Sequence, residues 1–333
     1  MPKRFEEIWY SNHPLSLALL PLAALFSTVV WLRRKAFALG VLPSRRLPVP
    51  VIVVGNICVG GSGKTPLVIW IAKFLHEQGF NPGVVSRGYG GNARSWPQQV
   101  RADSDAFMVG DEPVVIARHS GAPVAVGPNR FAAAIALLQY QHCDVIISDD
   151  GLQHYGLKRD VEIAVIDGLR RHGNGRCMPA GPLREPVSRL RQVDMIVTNG
   201  IAARGEFAMK YISQPLLPLD SAQSPQYAPV GAQGNAVHAV AGTGNPEGFF
   251  NSLRSQGFRV LRHPFPDHHA FRREDVEFGD NLPVVMTEKD AVKCLRFAGP
   301  QHWYQPIEAE MQPAFGHRLV ELLKRSGHGQ APA

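Results

Sequence analysis

The sequence predicts an α/β protein: a larger core, a second and smaller α/β unit after it, and an apolar helix ahead of both. Three observations predict this. An apolar β-branched run, Val51–Val54, leads through the glycine-rich turn "CVGGSGKT" into the helical pattern "PLVIWIAKFLHEQG", a strand, turn and helix in the order of a phosphate-cradling loop. Short apolar strand patterns then alternate with helical ones ("NPGVVS", "APVAV", "CDVIIS", "VEIAVID", "DMIVTN"), as a mostly parallel sheet with crossover helices requires. Finally, Pro14–Leu32 carries no charge over 19 positions, about 28 Å as a helix against roughly 30 Å of bilayer hydrocarbon.

Bulk properties narrow the function classes. At 333 residues the chain has core enough for two domains and an enzyme. The four cysteines, Cys58, Cys143, Cys177 and Cys294, show neither C-x-x-C spacing nor histidines at zinc spacing, so they read as reduced thiols rather than a metal cage or disulfide framework. A formal net charge of +7 implies an acidic partner: nucleic acid, an anionic membrane surface or a phosphorylated substrate. No nucleic-acid-binding motif appears, so nucleic acid is the least favoured of the three.

In chain order, Pro14–Leu32 reads first as a single membrane span, with a helix lying in the interface and a soluble core helix as alternatives. Trp9, Tyr10 and Trp31 sit at its ends like interfacial anchors, and Arg33, Arg34 and Lys35 place the following end on the cytoplasmic side. Pro21 weakens a straight span. Glu6, Glu7 and the lack of a small-residue cleavage site argue against a signal peptide. In the turn after the first strand, Gly60, Gly61 and Gly63 can aim backbone N–H groups at phosphate oxygens, Lys64 adds a charge, and Thr65 adds a hydroxyl for Mg²⁺. That is a P-loop, and the core is P-loop NTPase-like. The full pattern wants glycine six residues before the lysine, where this chain has Cys58.

Further on, Arg87 and the cluster Gly88, Gly90 and Gly91 follow the second strand, at the sheet edge where open α/β folds bind ligands. Asp111 and Glu112 open a helical stretch with Pro113 in its first turn; on local sequence the plain reading is an N-terminal cap. Arg130 stands at a strand-to-helix turn. The apolar strand before Asp149 and Asp150 ends in paired carboxylates, the Walker B arrangement that reaches Mg²⁺ directly or through water; a turn-forming Asp-Asp-Gly is the alternative. Gln153 and His154 come next, then a long loop rich in glycine, proline and arginine containing Arg184 and Glu185, and such loops inside compact domains are usually functional. Four prolines between Gln214 and Pro229 mark a linker. The strand and helix patterns of "AVHAVAGTGNPEGFFNSLRSQG" and "LPVVMTEKDAVKCLRF" make the second α/β unit, and the tail from Ser326 is expected to fray. The expected division is residues 1–35 for the membrane-associated helix, 36–220 for the P-loop domain and 221–333 for the smaller domain.

Together "GNICVGGSGKTP", "SRGYGG", "VGDEP", "SDDGLQH", "PAGPLREP", "VAGTGNPEGFF", "PDHHAF" and "MTEKDAVK", in this order behind an apolar amino terminus, resemble the tetraacyldisaccharide 4'-kinase family of lipid A biosynthesis. The resemblance spans nearly the whole chain. It implies two α/β domains around a cleft, ATP and Mg²⁺, and transfer of the γ-phosphoryl group to the 4'-hydroxyl of a membrane-embedded acylated glucosamine disaccharide 1-phosphate, giving lipid IVA. It further implies the cytoplasmic face of an inner membrane, and a monomer is expected. Position by position, the family's phosphate loop falls on Cys58, Val59, Gly60, Gly61, Ser62, Gly63, Lys64 and Thr65, and its Mg²⁺-associated pair on Asp149 and Asp150. Its proposed base falls on Asp111 and the base's histidine partner on His268, although His263 and His269 compete on sequence alone. Substrate-side residues correspond to Arg130, Gln153, His154, Arg184 and Glu185, their split among substrate, nucleotide and support left open. The competing reading is a membrane-bound P-loop switch ATPase with no small-molecule acceptor.

Overall fold

The computed structural model describes residues 3–11, 13–220 and 236–326. Three helices open the chain, α1 (Lys3–Tyr10), α2 (Pro14–Ala18) and α3 (Leu20–Ala38). The larger sheet begins with β1 (Val51–Gly55), followed by α4 (Lys64–Glu77), β2 (Pro82–Ser86), β3 (Gln98–Val100), α5 (Ala106–Val109), α6 (Asp111–His119) and β4 (Val124–Val126). It continues through α7 (Arg130–Tyr140), β5 (Val145–Ser148), β6 (Val161–Asp167), β7 (Met195–Asn199) and β8 (Phe207–Ser213). After β9 (Leu217–Pro218) come β10 (Ala236–Ala241), α8 (Pro246–Ser255), β11 (Arg259–Pro264), β12 (Val284–Thr287), α9 (Glu288–Cys294), β13 (His302–Gln305), β14 (Ile307–Met311) and α10 (Pro313–Arg325).

Among the described residues the strands form a nine-stranded sheet ordered β14-β8-β7-β6-β1-β5-β2-β4-β3 and a five-stranded sheet ordered β11-β10-β12-β13-β9. The larger is parallel from β8 to β4, with antiparallel β14 and β3 at its edges. Its centre explains the unbroken apolar run of β1, because both faces are covered. Ile52 and Val54 enter one core with Leu67 and Ile71 of α4, while Val51 and Val53 enter the other with Ala133 and Leu137 of α7. A strand buried on both faces has no use for alternation.

Two expectations change. The apolar run Pro14–Leu32 is not one helix: α2 stops at Ala18, and α3 restarts with Pro21 in its first turn, where a residue lacking an N–H costs nothing. Among the described residues no helix is long and apolar enough to cross a membrane, so the single-span reading gives way. Leu15, Leu17, Leu20, Leu22, Leu25, Val29, Trp31 and Leu32 nonetheless stay 40–63% exposed. The other side of the segment is tied down, with Trp9 Nε1 donating to the Pro179 carbonyl at 2.9 Å and Ser16 Oγ to that of Ala180 at 2.7 Å.

The sheets also do not part the chain at a single point. β9 precedes residue 221 yet edges the smaller sheet, and β14 returns to pair with β8 in the larger one. Helix α10 follows it home, seating Phe315, Leu319 and Leu323 in the larger core, with the Phe315 ring 5.5 Å from that of Trp70. The expected linker is described only as far as residue 220, and the expected tail beyond Ser326 lies outside the described residues.

Candidate active site

The P-loop closes on itself. Asn56 Nδ2 donates to Ser62 Oγ at 3.0 Å and to the Gly60 carbonyl at 3.3 Å. Gly63 caps α4 with φ 100°, a left-handed conformation that costs glycine little, and a Cβ there would collide with Met209 and the Tyr211 hydroxyl. Cys58, in place of glycine, is accommodated by a neighbour: it bridges Leu183 as an isolated antiparallel pair, and Val59 N donates to the Pro182 carbonyl at 2.9 Å. Burial pushes the Cys58 thiol up to about 11, so it stays protonated and inert.

The carboxylates after β5 meet this loop through the sheet register, which sets Val53 beside Ser148. Asp150 lies 3.6 Å from Lys64 Nζ and 3.1 Å from Arg184 Nη1, and its carbonyl accepts Arg130 Nη2 at 3.1 Å. Burial alone would raise Asp150, but Lys64 and Arg184 hold it well below the usual carboxylate range. Asp149 is the opposite case. It is fully buried, Oδ2 accepts Ser86 Oγ at 2.9 Å, and Oδ1 has no hydrogen-bond partner among the described residues. Burial, with Glu112 and Asp150 nearby, pushes it up to about 7.

An unpartnered buried oxygen on a carboxyl that resists ionisation is what a divalent cation would satisfy. Among the described residues no cluster of three or more His, Cys, Asp or Glu could hold a metal by itself. A Mg²⁺ carried by phosphate oxygens needs only one or two carboxylates, so the residues present fit that ion.

The second half of the site comes from the smaller sheet. Asp111 is the first residue of α6 and not its cap; that place belongs to Gly110, at φ 93°. Asp111 Oδ1 accepts the Glu112 N–H at 2.8 Å, while Oδ2 meets His268 Nδ1 at 3.3 Å and Lys293 Nζ at 3.6 Å. Burial would raise Asp111, but the His268 hydrogen bond and the charges of Lys289 and Lys293 carry it well below its ordinary value. His268 shows the reciprocal effect: burial would lower it, and the bond to Asp111 raises it. His268 adopts φ 61°, an uncommon conformation outside glycine, with its ring 4.9 Å from that of Tyr89. His263 instead bonds His238 at 2.9 Å and His269 bonds Asp275 at 3.0 Å, which separates both from Asp111.

Lys64, Asp150, Arg184, His268, Glu112 and Lys289 line one cavity of about 410 Å³. A second cavity of similar size lies across the P-loop, bounded by Ser62–Pro66 and by Asn245, Phe249, Ser252 and Gln305 of the smaller sheet's surround. Of the expected substrate-side residues, only Arg184 reaches the first cavity's wall. Glu185 is fully buried and accepts Gln153 Nε2 at 2.9 Å and the Tyr155 hydroxyl. Arg130 is buried beneath Asp150. His154 is pushed down to about 4 by burial and by Arg130 and Arg159, leaving a neutral ring.

Sequence reasoning assigned no part to Lys289, which bonds Glu112 at 3.0 Å and Asp267 at 3.1 Å and so joins α6 to the smaller sheet. Lys289 lies in "MTEKDAVK", a stretch that carried the resemblance without any of its residues being assigned a part.

Comparison with known proteins adds independent findings. The family profile described as tetraacyldisaccharide-1-P 4'-kinase matches residues 15–324. A tetraacyldisaccharide 4'-kinase of Nitrosococcus oceani is 51% identical over 326 residues, covering 96% of this chain and 94% of that protein. One from Alkalilimnicola ehrlichii is 54% identical over 309 residues, covering 92% of each. A solved structure of LpxK from Aquifex aeolicus in complex with ATP superposes with a TM-score of 0.76 at 26% identity, covering 94% of this chain and 99% of that one.

Proposed function

This chain belongs to the tetraacyldisaccharide 4'-kinase family and is an ATP-dependent kinase acting in lipid A biosynthesis, and we propose that its cleft carries out the transfer with Asp111 as base and His268 as the base's partner. One observation carries this reading: two residues 157 positions apart, Asp111 at the start of α6 and His268 in the loop after β11, meet at 3.3 Å beside the cavity that Lys64 and Asp150 line.

The 4'-hydroxyl oxygen of the acceptor attacks the γ-phosphorus, the bond from that phosphorus to the bridging oxygen breaks, and ADP departs with the electron pair. The hydroxyl proton passes to Asp111. A loose transition state spreads charge over the phosphoryl oxygens, and Lys64 and the P-loop N–H groups are the donors placed to neutralise it. Asp111 is a weak base, which suits a proton that leaves late; His268 keeps its lone pairs oriented. Thr65, Asp149 and Asp150 would hold Mg²⁺, which supplies charge neutralisation at the phosphates when bound. Arg184, facing the cavity, is the cation for the acceptor's phosphate, with Arg130, Gln153, His154 and Glu185 supporting it. The working division keeps the two expected α/β units, with β9 lent to the smaller sheet and β14 and α10 to the larger core, and the smaller unit supplies His268 and Lys289 to a cleft that completes on closure.

Purified protein incubated with γ-labelled ATP, Mg²⁺ and the disaccharide 1-phosphate in detergent micelles should place the label on the distal sugar's 4'-oxygen by mass spectrometry. ATP hydrolysis with no labelled lipid would favour the switch ATPase instead.

The exposed apolar surface of α2 and α3 supports an interfacial helix on the cytoplasmic face of the inner membrane, beside an acceptor that keeps its acyl chains there. A monomer suffices, since both halves of the site come from one chain. Carbonate-washed membranes should retain the full chain and release one starting at Lys35; a truncated protein still wholly in the membrane fraction would show that another surface anchors it.

A further inference from the structure

Arg170 stands half-buried in the turn after β6, and the mechanism above gives it no part. Its backbone N–H donates to Asp167 Oδ1 at 3.0 Å, which fixes where the side chain leaves the turn. Nη1 then donates to the Gly244 carbonyl at 2.6 Å, and the guanidinium carbon sits 5.4 Å from the centroid of the Tyr10 ring.

Gly244 belongs to the turn between β10 and α8, and that turn rests on the P-loop: a Cβ at Gly244 would lie 2.7 Å from Gly61 N. The turn is secured from its far side, where Gly242 N donates to Asp290 Oδ2 at 2.8 Å and Asp290 is fully buried. Tyr10 closes α1, whose neighbouring Trp9 carbonyl accepts Asn174 N at 2.9 Å. A single guanidinium therefore joins the amino-terminal helices, the larger sheet and the smaller sheet's turn over the P-loop. A charged donor to a carbonyl is a strong hydrogen bond, and the flat face left over is what an aromatic ring holds.

We propose that Arg170 is a positioning residue: through Gly244 it holds the Gly242–Asn245 turn against the P-loop, and through Tyr10 it makes that hold depend on the seating of the amino-terminal helices. The proposal rests on the kinase reading, which makes the P-loop the ATP site. If the turn drifts, the loop loses its packing partner at Gly61, so ATP affinity falls while the acceptor's does not.

The test uses the full chain and reads two quantities: equilibrium binding of a fluorescent ATP analogue without acceptor, and KM for ATP and for acceptor separately. Arg170→Ala should weaken analogue binding and raise KM for ATP by about tenfold, the scale of a charged hydrogen bond lost, with KM for acceptor nearly unchanged. Tyr10→Ala should move the same two quantities in the same direction by less, and the double variant should bind no more weakly than Arg170→Ala. Arg170→Lys, which keeps the charge but not the planar face, should fall between and serves if Arg170→Ala does not fold. Analogue binding unaffected by Arg170→Ala or Arg170→Lys, or losses that multiply in the double variant, would overturn the proposal. A wild-type protein that binds the analogue but labels no acceptor would count against the kinase reading, while the binding data still decide the role of Arg170.

Discussion

A folded Lys64→Ala protein should lose about 10²–10³ in kcat, roughly 2.7–4 kcal/mol of transition-state stabilisation, the scale for removing one preorganised donor. The loss should fall on kcat more than on stability. Lys64 heads α4 and is 9% exposed, but its ion-pair partner Asp150 keeps Arg184 at 3.1 Å, so the deletion leaves Asp150 paired. Steady-state kinetics alongside a thermal melt separate the two effects. Near-normal turnover in a folded Lys64→Ala protein would remove the P-loop lysine from the mechanism.

Asp111→Asn should cost about 10²–10⁴ in kcat, the range for a positioned general base, and should also change the pH profile. Asp111 sits below its ordinary 3.8, so its favourable contribution is present above that value and is lost as the pH falls through the lowered one. His268 sits above its ordinary 6.5, so its contribution is complete below 6.5 and is lost as the pH rises through the raised value. The ion pair is therefore strongest between about pH 4 and 6.5. Stability of the wild type relative to His268→Gln should decline above that window, and stability curves that stay parallel from the window to well above it would show that His268 carries no charge in the fold.

Much of this site was legible in sequence because its chemistry is local. Gly60 through Thr65 declare a phosphate loop within one strand-turn-helix, and Asp149 and Asp150 end an apolar strand whose neighbour the parallel order dictates. What was not legible depends on contacts between distant segments. Cys58 stands where the pattern wants glycine because Leu183 and Pro182 hold that stretch from outside. Glu112 and Lys289 are 177 positions apart, and nothing local marks either as the other's partner. Glu185 was expected on the substrate side with its part left open, and its burial against Gln153 and Tyr155 depends on segments that no local pattern connects. The amino-terminal run satisfied the length rule for a span, but hydropathy does not register that Pro21 starts a new helix or that Ser16 faces the loop at Ala180. The return of β14 to the larger sheet is equally hidden, since "IEAEM" alternates as any edge strand does and the packing of Phe315 of α10 against Trp70 of α4 joins segments far apart in sequence.

Asp111 at the start of α6 and His268 in the loop after β11 are proposed to act as one unit beside the P-loop. The most direct test of that claim is a double-mutant cycle in kcat/KM with Asp111→Asn, His268→Gln and the pair. Coupled residues predict that the double variant is no worse than Asp111→Asn alone, because a partner has nothing left to orient once the base is gone. Losses that multiply would show two independent contributions and contradict the claim.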